Sequence, residues 1–471
     1  MRSKVNLLLL LVLVLGCSSG MSVSYMADGT AKVTGGQSPY TFQAAEWSTV
    51  DVDADTGTMT GKSKKVEKVV LGLRHTCAID KSAGLWCWGN NRYGQTGTEP
   101  SGMVLRPVKA GFSARKYTMV ALTDSGTCAA TTTNEIYCWG YVNSWHTVKL
   151  EENSWKENRV PDMPGTIKQL TGGFNHVCAL LDSGAVYCWG SNVFGSVTGT
   201  LSDVKTYTSP VEVKGLGLIG TISAGQYRTC ASGGVLYCWG LDLSVGPSYG
   251  QFASIQEASK AAGFWSDLIY SDPEVSSDFF KSALEQYAVL REYALPVKAD
   301  YIVLGSLQTC VASKGVAYCR GVNNFQSSSS VTYSTEFVEV KVPVKFERLT
   351  GSGSILCYGG VVTACSGNLK RLVPEGTVTN RSTLHQFPGM SWKVLEINSW
   401  LIVENRMCGI DADDDLYCWG SSQDTVAGDG GKSINLRPIR IKIGDSVYVD
   451  TEKYSITVTD REGHGVTITS N

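Results

Sequence analysis

Seven times along the chain, two short runs of β-forming residues flank a tip rich in Gly, Ser, Asp or Asn: "CAIDKSAGLWC", "CAATTTNEIYC", "CALLDSGAVYC", "CASGGVLYC", "CVASKGVAYC", "CYGGVVTAC" and "CGIDADDDLYC". Such runs on both sides of a turn predict a β-hairpin. The units begin at 77, 128, 178, 230, 310, 357 and 408, a step of about fifty residues that lengthens by about thirty between 230 and 310. Each step leaves room for two further strands, for which the Pro-Val stretches "RPVKAGF", "SPVEVKGL", "LPVKADYIVLG", "VPVKFERLTG" and "RPIRIKI" are candidates. One four-stranded unit cannot cover both its faces, whereas seven in a ring can, with no long sheet edge exposed. The pattern predicts an all-β fold, a seven-bladed β-propeller over residues 63–445.

One stretch breaks the strand pattern. Within residues 241–295, "SDPEVSSDFFKSALEQYAVLREYA" offers Asp272 as N-cap, Pro273 at the first helical position, Glu274 in the first turn and apolar residues at Phe280, Leu284 and Tyr287. These features predict a helical insertion. Ahead of it, "ASKAAGFWSDLIY" groups Phe264, Trp265 and Tyr270. Those aromatics either pack the helix onto the propeller or form a partner-binding surface, since loops on rigid scaffolds commonly carry one.

Of the fifteen cysteines, Cys17 stands apart. The others fall into neighbouring couples: Cys77 and Cys87, Cys128 and Cys138, Cys178 and Cys188, Cys230 and Cys238, Cys310 and Cys319, Cys357 and Cys365, Cys408 and Cys418. Residues placed symmetrically about a hairpin turn face each other closely enough for a disulfide, so seven cross-strand bridges are predicted. Zinc would need tight C-x-x-C knuckles or clustered His, and the chain has five His and no such knuckle. No metal and no cofactor is expected.

The repeats resemble those of the regulator of chromosome condensation family, in which a Gly-x-x-His start leads through a short strand and an acidic-Gly turn to an aromatic, Trp-Gly and a Tyr-Gly-Gln-x-Gly tail. "GLRHTCAIDKSAGLWCWGNNRYGQTG" and "GGFNHVCALLDSGAVYCWGSNVFG" carry the likeness best. The fifth unit departs with Arg320, and the sixth with Ser366, where Trp is expected. The resemblance covers about residues 64–445 and implies the propeller fold. It is weaker for function, because propellers serve many partners. Arg320, at a failure of the repeat, joins Phe264, Trp265 and Tyr270 as a candidate partner-binding residue.

Outside the ring, residues 31–62 resemble the first half of a bacterial immunoglobulin-like module, and "KYSITVTDREGHGVTITS" resembles its last two strands. Neither half has strands enough to stand alone. Residues 31–62 plus 446–471 are therefore expected to form one small β-module with the propeller inserted between its halves; the alternative is a linker at one end and an extra hairpin at the other.

The chain opens "MRSKVNLLLLLVLVLGCSSG": a basic start, an apolar run too short to span a bilayer, and Gly16-Cys17. This resembles a bacterial lipoprotein signal at residues 1–16 with Cys17 as the lipidated residue and 17–30 as a tether; an ordinary secretory signal is the alternative. Both imply export to an oxidising compartment, where disulfides persist. "SSG" after Cys17 carries no acidic residue, which favours the outer membrane, on its periplasmic or outer face.

The formal charge of −2 argues against a nucleic-acid partner. His75 and His176 share a slot before the first cysteine of their units, filled elsewhere by Gly126, Arg228, Gln308, Ile355 and Arg406, which marks them as structural. His146, His385 and His464 lack evident partners. The acidic runs Asp51–Gly57 and Asp411–Asp415 lack the Gly and closing Glu of a calcium-binding loop and read as solvated turns. No phosphate loop, nucleophile elbow or H-E-x-x-H occurs. The expected function is a non-enzymatic, envelope-anchored scaffold, monomeric, held to the membrane by lipid and recognising a protein or glycan through propeller loops and the insertion. The alternative is a secreted polysaccharide lyase or hydrolase that uses the channel.

Overall fold

The computed structural model describes residues 63–110, 115–141, 156–192, 194–201, 206–242, 289–305, 308–323, 332–342, 344–353, 355–360, 363–367, 369, 372–373, 384–387, 392–400, 404–421, 428 and 435–443, with 22–25, 31–34, 41–44, 50–52, 59–61, 455–459 and 465–469 at the chain ends. Two compact units result, 65–442 and the paired ends.

The larger unit is a seven-bladed β-propeller, seven antiparallel sheets of four consecutive strands each. From the axis outwards, blade 1 runs Val66–Leu71, His75–Asp80, Leu85–Asn90 and Met103–Lys109. The innermost strands of the other blades are Tyr117–Leu122, Ile167–Gly172, Thr221–Ala224, Tyr301–Leu304, Arg348–Ser352 and Val394–Trp400. Each packs beside its counterpart in the next blade, and Val394–Trp400 packs beside Val66–Leu71 to close the ring. No helix occurs among the described residues. Most of the expected helix, with Phe264, Trp265 and Tyr270, falls in 243–288, outside them; its last residues are corrected, because Arg291–Tyr293 is the outermost strand of blade 4, paired with Leu236, Tyr237 and Cys238.

The hairpins form as their tips dictate. In blade 1, Asp80 accepts the Ser82 and Gly84 amides at 2.7 and 2.9 Å and the Trp86 indole at 2.8 Å, so one carboxylate braces the whole turn. That register sets Cys77 opposite Cys87. The same geometry recurs, and seven disulfides bridge Cys77–Cys87, Cys128–Cys138, Cys178–Cys188, Cys230–Cys238, Cys310–Cys319, Cys357–Cys365 and Cys408–Cys418, each with Cα atoms 4.1 Å apart. Pro107, Pro210 and Pro438 sit in outermost strands, where a residue without an N–H is tolerated.

After the second cysteine comes the slot filled by Trp88, Trp139, Trp189, Trp239 and Trp419, all buried between blades. The next residue is glycine in every blade, with φ between 76° and 111°. A Cβ at Gly240 would lie 2.3 Å from the Tyr227 carbonyl oxygen, so neither the backbone angle nor the space admits another residue. The register shifts here in blades 1, 3, 5 and 7.

In the smaller unit, Thr41–Ala44 pairs antiparallel with Ser455–Thr459, which pairs with Gly465–Thr469. The two chain ends thus share one sheet. Ser22–Tyr25 pairs with Ala31–Thr34, and Val50–Val52 with Met59–Gly61.

Candidate functional site

Three places combine polar chemistry with a defined geometry: the seams between blades, the roots of the insertion and the central channel.

At the seams, the slot two residues before each first cysteine faces the positive-φ glycine: His75, Gly126, His176, Arg228, Gln308, Ile355 and Arg406. The polar side chains among them reach forward to the next blade. His75 Nε2 lies 2.7 Å from Thr127 Oγ1, whose hydroxyl itself donates to the Gln95 carbonyl at 2.8 Å, so the imidazole is the donor. His176 repeats the contact with Thr229 at 2.8 Å. Gln308 donates to the Gly353 carbonyl at 3.2 Å. Arg406 donates to Thr76 Oγ1 at 2.8 Å and the Gly72 carbonyl at 2.6 Å, joining blade 7 to blade 1. Burial holds the His75 imidazole down at about 3, with the Arg406 charge adding to the effect, and holds His176 at about 4. Both are neutral, enclosed and committed to a neighbour, so the slot joins blades and carries no exposed base.

Strand direction puts the first-to-second and third-to-fourth connections of every blade on one face of the ring. The third-to-fourth connections are the long ones, from 91–102 in blade 1 to 241–290 in blade 4. In blade 1 the loop is built around buried Asn91, which donates to Thr98, Glu99 and Ser101 at 2.8–3.0 Å and accepts the Thr96 amide at 3.0 Å. The ordered loop then offers the Gln95 carbonyl to the Trp139 indole of blade 2 at 3.1 Å. Blade 3 repeats this with Asn192 and a Ser196-to-Trp239 contact at 3.0 Å.

The roots of the insertion are held by buried charge. Asp242, where the described chain leaves blade 4, is 2 % exposed and ion-paired with Arg228. Arg228 also donates to the Gly305 carbonyl of blade 5 at 3.0 Å. On the returning side, Leu290 N–H donates to the Gly199 carbonyl at 2.9 Å, and the Tyr293 hydroxyl donates to Asp242 at 3.3 Å. Burial and the Asp242 charge raise the Tyr293 phenol above its ordinary range. Arg320 lies over the Tyr293 ring, its guanidinium carbon 3.8 Å from the centroid.

The expectation that Arg320 faces a partner is therefore corrected. It is 2 % exposed, because the Trp slot it fills points into the blade stack. Cys17, Phe264, Trp265, Tyr270, His146 and His464 lie outside the described residues. His385 packs edge-on to Phe387. The acidic turn is engaged: Asp411 accepts the Asp413 and Asp415 amides, Asp414 meets Lys393 at 2.7 Å, and Asp415 meets Lys65 at 2.9 Å and Arg440 at 2.8 Å. Among the described residues no cluster could hold a metal ion.

Sequence reasoning passed over Arg228's partner Asp242 and the channel residue Glu396. Asp242 stands directly after "CWGL", at the insertion's edge, which was the available signal; Glu396 lies in a strand with no motif.

The channel is a cavity of about 700 Å³ lined by the seven innermost strands. Its acidic lining residues are Asp300, which accepts from Ser313 at 2.7 Å, and Glu396. Burial pushes the Glu396 carboxyl up to about 7.

Residues 66–95 and 167–196 match the regulator of chromosome condensation (RCC1) repeat. The chain is similar to the Ultraviolet-B receptor UVR8 of Arabidopsis thaliana, 28 % identical over 48 % of this chain and 54 % of the receptor. It is also similar to the guanine nucleotide exchange factor SRM1 of Saccharomyces cerevisiae, 25 % identical over 27 % of this chain and 34 % of that protein. The chain thus spans about half, or less, of the length of these relatives. Among solved structures it is similar to Prp20p of Saccharomyces cerevisiae, with a TM-score of 0.58 and 15 % identity, over 87 % of this chain and 94 % of that one. That crystal structure was studied with the binding of Prp20p to Gsp1p and histones.

Proposed function

We propose that this chain, which carries RCC1 repeats on a seven-bladed propeller, is an exported binding scaffold that takes a protein partner on the face bearing the long connections. The observation behind this reading is the anchoring of the insertion's roots by Arg228, Asp242, Tyr293 and Arg320. A buried ion pair costs desolvation and adds little stability, but it fixes where a loop leaves a rigid frame. The relatives support it: one is named a receptor and another an exchange factor, and Prp20p was studied for binding to Gsp1p and histones. Seven disulfides fit an oxidising compartment. Lipid attachment at Cys17, an immunoglobulin-like module made by residues 31–62 with 446–471, and partner contacts at Phe264, Trp265 and Tyr270 complete the proposal. Polysaccharide cleavage is the weaker reading: it asks for facing carboxylates, and the channel's Asp300 and Glu396 stand on different blades, Asp300 tied to Ser313.

The test is capture from envelope extract with the full chain and with the chain lacking 241–295. A partner lost only with the deletion places the site on that face; unchanged capture refutes the insertion as the site. Membrane fractionation of Cys17→Ala, expected to release the protein, tests the anchor.

A further inference from the structure

Each innermost strand pairs on its outer side only, so its free edge lines the channel with backbone N–H and C=O groups. Where these strands face the first cysteine of their hairpins, the ring carries Val70, Ala121, Thr171, Ser223, Val303 and Thr350 in six blades and Glu396 in the seventh. Polar residues of the inner strands normally spend their groups on the next strand: Thr171 Oγ1 accepts the Ala224 amide at 3.0 Å, and Gln169 brackets the Ile222 backbone at 2.7 and 3.0 Å. Glu396 makes no hydrogen bond or ion pair among the described residues. Its neighbours Leu395 and Ile397 are buried in the apolar cluster with Trp419, which turns Glu396 to the other side of the strand.

Of the two basic residues that line the channel with Glu396, Lys393 is held by Asp414 at 2.7 Å and Arg348 is exposed, so a carboxylate in a roomy channel, with no ion pair among the described residues, wants a cation from outside. A divalent metal would keep one charge uncompensated beside a single carboxylate, and this level has one carboxylate. An ammonium group, with its three donors, matches one carboxylate plus strand-edge carbonyls, while the half-buried Val70 offers apolar contact to an alkyl chain. A volume of about 700 Å³ accepts such a molecule. We infer that the channel binds a small primary alkylammonium ion, with Glu396 as its counter-ion and inner-strand carbonyls as its remaining acceptors.

Binding requires the ionised carboxylate, and burial holds the Glu396 carboxyl at about 7. Charged groups on the elements packed against its strand are otherwise placed: Arg406 is held by Thr76 and Gly72, while Glu67, Lys68 and Arg348 are exposed. Affinity should therefore fall about tenfold between pH 8 and pH 6.

The experiment is calorimetric titration of the full chain with 1,4-diaminobutane at pH 8 and pH 6, with tetramethylammonium, which cannot donate, as control. Saturable one-to-one binding is expected, at least tenfold weaker in Glu396→Gln, in Glu396→Thr and for tetramethylammonium. Thr already stands at this level in blades 3 and 6, so Glu396→Thr keeps the fold, and the wild-type pH comparison needs no variant. Absence of saturable binding at millimolar diamine, equal affinity in folded variants, or an affinity independent of pH would overturn the inference.

Discussion

Arg320 replaces tryptophan in blade 5 and lies face-on over Tyr293, 3.8 Å from guanidinium carbon to ring centroid. Tyr293 belongs to the strand that returns from the insertion, and its hydroxyl donates to Asp242 on the departing side. Repeat failure and insertion are thus one feature: where a loop must be held at both roots, a cation that stacks on the returning ring replaces an indole. Arg320→Ala should cost about 2 kcal/mol, since a desolvated cation–π contact contributes that much, and should raise amide exchange at Arg291–Tyr293 ahead of other outer strands. Exchange that rises equally in all blades would contradict this local role.

Asp242→Ala leaves Arg228 buried without its counter-charge, a loss of about 3–5 kcal/mol by analogy with broken buried pairs. The double change Arg228→Met with Asp242→Leu should recover most of the stability, because both buried charges go together. Chemical denaturation of the three variants gives the coupling energy. A double variant as weak as the single would show that the pair stabilises in its own right.

His75 and His176 make the propeller acid-sensitive. Their folded values, about 3 and about 4, lie below the ordinary 6.5, so between those limits the unfolded chain binds more protons. Stability is complete above about pH 6.5 and drains away as the pH falls toward the folded values, by about 2 kcal/mol per imidazole at pH 5. Gln308 fills the same slot in blade 5, so His75→Gln with His176→Gln should fold and show a shallower acid limb in melting temperature. An unchanged acid limb would assign the sensitivity elsewhere.

Each hairpin loop closed by a disulfide is short, eight to ten residues apart in sequence, so each bridge should contribute near the low end of about 2–4 kcal/mol. Mass spectrometry should find the fourteen hairpin cysteines unreactive to alkylation until the chain is reduced and unfolded. Trp139→Ala, by emptying a fully buried slot and abandoning the Gln95 carbonyl, should cost about 3–5 kcal/mol, more than the loss of any one bridge.

What could be read in advance was whatever repeats within a blade. The cysteine couples, the tip residues and the fifty-residue pitch are local, and local spacing fixed the hairpins, the bridges and the ring. The seam contacts join His75 to Thr127 and Arg406 to Thr76, 52 and 330 residues apart, and no single repeat announces such a partner. Arg320 looked like a surface departure because its slot is legible and the tyrosine beneath it is not. Glu396 was silent for the opposite reason: an inner strand accepts almost any residue at its channel edge, so no pattern is broken there.

Every blade is a single uninterrupted piece of chain, and every polar slot reaches forward, except that Arg406 reaches round to the beginning. A chain made from its N-terminus can finish and bolt each blade before the next exists, leaving an open arc that grows by one panel at a time. Among the slot contacts, the buckle from Arg406 to Thr76 is fastened last. A chain cut short should therefore present an unclosed crescent of sound panels with one raw edge at each tip, a form distinguishable from the finished ring.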